Sequence, residues 1–195
     1  MRFMFGISRK YNRKDFIIAA LFSGKITFPK IDQALNLISK FDSRSYFRIQ
    51  RDVKKIWVSA TPPYYAEWID EFQMCILDRE YICRPDVSPA EIASTIIHEA
   101  THARLGRAKI NYKEETPNRV ERICFKSEMA FAKRLPDGEQ LIKNVELRLK
   151  IPETYWTSSE FQQRNLDAFA ALGKKFWPAR VLYPVVRWIV EKRKH

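Results

Sequence analysis

The chain has 195 residues, 46% hydrophobic and 30% charged, with glycine and proline at only 15 positions, so a collagenous, low-complexity or wholly disordered chain is excluded. The length suits one domain with a core of its own. A net charge of +12, spread along the chain, points to an acidic partner, and nucleic acid is disfavoured because no binding motif or aromatic-basic signature accompanies it. The apolar run from Phe16 to Phe22 is far short of the ~20 residues of a membrane-spanning helix. No small-x-small cleavage site follows it, so an amphipathic first helix is expected there instead of an export signal. The three cysteines, Cys75, Cys83 and Cys124, form no CxxC pair, which fits a reducing, cytoplasmic compartment.

In chain order, the first helix is expected over about Asp15 to Phe22, stopped by Ser23-Gly24. A second runs from Ile31 to Phe41, with Ile31, Leu35 and Ile38 at helical spacing. From Tyr46 to Ala60 the period shifts towards two, predicting a hairpin closed by Thr61-Pro62-Pro63. Further strands are expected at Phe72 to Leu77 and Tyr81 to Cys83. Ser88-Pro89-Ala90-Glu91 is a capping box with proline at the first helical position, and Gly106 marks that helix's end. Another long helix starts near Pro117, continues through Leu135 and is terminated by Pro136-Asp137-Gly138. Beyond Lys143 the chain reads as irregular to Ser158, helical to Leu172, then basic and amphipathic from Trp177 onwards.

The Ser88-capped helix carries His98-Glu99-Ala100-Thr101-His102, an HExxH string. Two imidazoles one turn apart can share a metal ion while the intervening Glu reaches its bound water. At 100° per residue, Ile92, Ala93, Ile96, Ile97, Ala100 and Ala103 share one face, His98 and His102 lie opposite, and Glu99 falls at the border. The only other histidine is His195, so a third protein ligand must be a carboxylate or a thiolate.

On the next helix Val120, Cys124, Phe131 and Leu135 flank one side of an apolar face, and Phe125, Met129 and Ala132 the other, with Glu121 and Glu128 in its middle. Carboxylates in an apolar stripe need a cation, either a metal or a basic residue paired with them. Glu121 and Glu128 are therefore the candidate ligands, and Cys124 is read as core.

With eighteen residues between His102 and Glu121 the chain reads HExxH-x18-E. Over roughly Ile92 to Leu135 it resembles the gluzincin zinc metallopeptidases, the thermolysin-like and aminopeptidase N-like enzymes, whose third ligand is a Glu on the next long helix. Phe125 stands where the thermolysin-like enzymes carry an acidic residue, so Glu128 would take over the orientation of a histidine. The Gly-x-Met-Glu-Asn sequence of the aminopeptidases is absent. So is a downstream histidine for the oxyanion, leaving Tyr112, Tyr155 or an arginine as donors.

The resemblance implies a zinc-dependent peptidase acting on a protein or peptide, with zinc on His98, His102 and Glu121 and with Glu99 as general base. The other reading is a non-catalytic zincin-like binding or regulatory module, associated with a partner or, through the basic C-terminal segment, with an anionic membrane surface. The expected fold is α+β, a small mixed or antiparallel sheet beside the HExxH helix and the Glu121 helix. Residues 1–143 would form the metallopeptidase domain and 144–195 a helical extension packed on it.

Overall fold

The structure is a computed structural model that describes residues 8–13, 16–20, 24–59, 65–110 and 117–151. The chain divides into two compact units, 1–151 and 152–195, and all of the described residues belong to the first. The Thr61-Pro62-Pro63 breaker, Tyr112, Tyr155, the helix expected after Ser158 and the segment from Trp177 lie outside the described residues.

Five strands, β1 (Arg9–Arg13), β2 (Phe16–Ala20), β3 (Lys55–Ser59), β4 (Ala66–Ile69) and β5 (Met74–Asp78), form one sheet in the order β1-β2-β3-β5-β4. The two inner pairings, β2 with β3 and β3 with β5, are parallel, and the edge pairings are antiparallel, so the sheet is mixed. Helices α1 (Gly24–Phe41) and α2 (Ser43–Asp52) lie between β2 and β3 in the chain. The short α3 (Arg79–Cys83) follows β5, then α4 (Pro89–Arg107), α5 (Pro117–Ala132) and α6 (Glu139–Leu149). The architecture is α+β, as expected.

Several elements differ from the sequence reading. The segment expected as the first helix is β2: a short apolar run is ambiguous between a helix and an interior strand, and here it pairs on both sides. Phe16, Ile18 and Ala20 point into the main core while Ala19 faces the other side of the sheet. The expected hairpin is half helix. Asp42 caps α2, Ile49 and Val53 are buried at helical spacing, and Phe47, whose alternation with Ile49 suggested a strand, is exposed. Tyr81 to Cys83 belong to α3, whose first turn Asp78 caps by accepting the Tyr81 N–H. The stretch beyond Lys143 continues as α6, with Leu141 and Val145 buried one turn apart. The Pro117 helix ends at Ala132, three residues short of Leu135.

One sheet face, carrying Phe16, Ile18, Ile56, Val58, Cys75 and Leu77, packs on α1 and α4 in a core that Phe131 of α5 and Leu141 of α6 complete. Each fully buried isoleucine or leucine there contributes about 2 kcal/mol relative to exposure. Helix α4 starts where the sequence placed it. Ser88 Oγ accepts the Glu91 N–H at 3.2 Å and the Glu91 carboxylate accepts the Ser88 N–H at 2.8 Å. Its end comes just after Gly106, where Lys109 takes a left-handed φ of 57°. The Lys30 ammonium donates to the carbonyls of Arg84 and Val87, tying α1 to the approach of α4. Thus α4 is held at its start and along its apolar face, and its remaining face is left to α5.

Candidate metal centre

Ile92, Ala93, Ile96, Ile97, Ala100 and Ala103 of α4 are all buried, on the face deduced from their spacing. This turns His98 and His102 towards α5, their ring centroids 4.8 Å apart. From α5 come Glu121, Cys124 and Glu128, which share one face because they stand three and seven residues apart. The Cys124 sulfur lies 3.6 Å from each ring nitrogen of His102. Among the described residues, His98, His102 and Cys124 form a group whose ligand atoms all lie within 4.8 Å of one another. Two imidazoles and a thiol at this spacing can coordinate a divalent metal such as zinc.

The carboxylates around the cluster hold distinct places. Glu121 Oε2 is 3.2 Å from His98 Nε2, and Oε1 is 3.5 Å from His102 Nε2. Glu128 is fully buried and accepts from His98 Nδ1 at 2.7 Å, Ser94 Oγ at 2.6 Å and both terminal nitrogens of Arg148 at 3.2 and 2.7 Å. Glu99 is buried, within reach of the charges of His98, Glu121 and Glu128.

Burial and charge set the protonation of this group. Burial lowers the His98 pKa, but hydrogen bonds to Glu121 and Glu128 outweigh it and hold the ring well above its ordinary value. Burial and the neighbouring His98 charge push His102 down to about 4. Burial pushes Glu99 up to about 8, and it drives the Cys124 thiol upward as well, with Glu121 adding to the effect. Burial would raise Glu128 too, but its hydrogen bond and ion pair with His98, together with Arg148, keep it ionised. One imidazolium therefore sits between two carboxylates, at a place where a divalent cation meets the same need for positive charge.

This arrangement corrects the gluzincin reading. The donor group that converges is His98, His102 and Cys124, a thiol where HExxH-x18-E demands a carboxylate; Glu99 lies outside it, and Glu121 stands beside it with its oxygens against the imidazole nitrogens. The assignments as hydrolase, metallopeptidase and gluzincin, with Glu99 as catalytic base, fall with that ligand set. The physical reason is one turn of helix: Cys124 stands three residues after Glu121, on the same face, and its short side chain reaches His102. Spacing puts Cys124 on the same face as the two glutamates and so makes it a candidate, without choosing among the three. Ser94 and Arg148, both bound to Glu128, were not singled out by the sequence. Ser94 lies one turn before His98, whereas Arg148 is on a helix the sequence reading left irregular.

No protein family matches the chain, and no curated protein or solved structure matches it significantly. Fold and site together define an α+β protein with a helix-borne His2Cys cluster between α4 and α5.

Proposed function

We propose that this chain is a non-catalytic metal-binding module, in which a zinc ion on His98, His102 and Cys124 fastens α5 to α4 and holds the surface that meets an acidic partner. The observation that carries the reading is the convergence of these three donors, from two helices, at a buried place. A structural zinc site takes four protein ligands, and Glu121, with its oxygens against both imidazoles, would supply the fourth. With Glu121 as a fourth ligand no position would be left for a reacting water, which is why the proposed role is fastening. The net charge of +12 supports an acidic partner, a protein surface or an anionic membrane. No described helix is long and apolar enough to cross a membrane.

The test is elemental analysis of protein purified without a metal-affinity tag, for the wild type, His98→Ala, Cys124→Ser and Glu121→Gln. One zinc per chain in the wild type, lost with His98→Ala and Cys124→Ser and weakened with Glu121→Gln, is the expected result. Absence of zinc from the wild type after reconstitution overturns the reading.

A further inference from the structure

Helix α6 has no residue in the cluster, yet its last turn reaches it. Arg148 places Nη2 2.7 Å and Nη1 3.2 Å from the two oxygens of Glu128, a two-pronged pair that fixes the carboxylate's plane. The same carboxylate takes His98 Nδ1 at 2.7 Å, which leaves Nε2 as the nitrogen available to a metal. A second path runs through one ring: Phe125 has its centroid 5.2 Å from that of His98, and the Arg148 guanidinium carbon lies 5.2 Å from the Phe125 centroid. Phe125 thus contacts both the ligand and the α6 cation.

We infer that Arg148 is a positioning residue for the metal ligand His98, so that docking of α6 and metal binding are thermodynamically coupled. The inference rests on the metal site proposed above. If Arg148 leaves, Glu128 remains buried with its orientation set by Ser94 and His98 alone, and neither Glu128 nor Phe125, the α5 side chains against the His98 ring, is then held by Arg148 of α6. By reciprocity, metal held on His98 must tighten α6 by the same factor that α6 tightens the metal. The arrangement would let whatever covers or frees α6 regulate metal retention, through the terminal turn of one helix.

Zinc affinity, measured by competition with a chromogenic chelator, is compared for the wild type, Arg148→Ala and Arg148→Lys, alongside the visible spectrum of each cobalt-substituted protein. Arg148→Ala is expected to bind zinc about tenfold more weakly and to show a shifted cobalt spectrum, with Arg148→Lys recovering most of both. If Arg148→Ala fails to fold, hydrogen exchange of the wild type decides: zinc is expected to slow the amides of residues 139–149 by a similar factor. Equal affinities and spectra in a folded variant, or α6 exchange indifferent to zinc, overturn the coupling while leaving the metal site standing. A wild type that binds no zinc overturns both.

Discussion

The sulfur of Cys124 is equidistant, at 3.6 Å, from the two ring nitrogens of His102, although 21 residues and a change of helix separate them in the chain. Zinc binds the thiolate, so loading the site releases the Cys124 proton and apparent affinity rises with pH. Calorimetry in buffers of different ionisation enthalpy should show about one proton fewer released by Cys124→Ser than by the wild type, the remaining release coming from the His98 imidazolium. That variant should also bind zinc at least about tenfold more weakly.

Asp52, at the end of α2, binds Arg51 through both carboxylate oxygens at 2.8 Å and accepts from Arg107 of α4 at 2.9 Å. Burial raises its pKa, but the Arg51 hydrogen bonds and the two arginine charges outweigh this and leave it below the ordinary value. A folded pKa below the unfolded one contributes stability above the unfolded value of about 4, and this is lost as pH falls through the folded value. Asp52→Asn should therefore cost about 2 kcal/mol at pH 7 and less at pH 3. Urea unfolding at the two pH values measures the difference, and an equal cost at both would contradict the ion-pair account.

Asp42 serves two partners. Its side chain accepts the Ser45 N–H at 3.1 Å as the cap of α2, and it pairs with Arg134 beyond the end of α5. Asp42→Ala removes both and should destabilise the fold by about 2 kcal/mol, whereas Asp42→Asn keeps the cap and should cost less than half of that. Thermal unfolding of the two variants separates capping from charge.

A Cβ added to Gly138 would come within 2.0 Å of the Ala132 carbonyl oxygen, so the turn between α5 and α6 closes only on a hydrogen. Its φ of −83° is open to any residue, and the restriction is steric. Gly138→Ala should cost about 1–3 kcal/mol, because backbone must move to make room. Since α6 carries Arg148, a chelator-competition assay on the same variant should show weaker zinc retention.

The sequence alone was enough to define α4. A capping box, a proline at the first turn and a run of small and aliphatic residues at helical spacing are local signals, and the helix formed where they put it. The pairing of His98 with His102 on its far side followed from the same periodicity, as did the shared face of Glu121 and Glu128 on α5. Local signals failed where two structures share one pattern. Phe16 to Ala20 would be apolar on a buried helix as in an interior strand, and only pairing with β1 and β3 decides between them. Phe47 and Ile49 alternate as in a strand, but Asp42 starts a helix that leaves Phe47 in solvent.

At the metal centre, the sequence determined which residue types were available and which helical faces bore them. It could not rank Glu121 against Cys124 as the cluster's third member, since both lie on the right face and a turn of α5 separates them. The tertiary structure decided this by setting the approach of α5 to α4, which brings the sulfur to His102 and leaves the Glu121 oxygens against the imidazole nitrogens. It also decided the role of Glu128. Whether a buried carboxylate meets a metal, an imidazole or a guanidinium depends on long-range packing, and here α6, a helix remote in sequence from His98, supplies the cation.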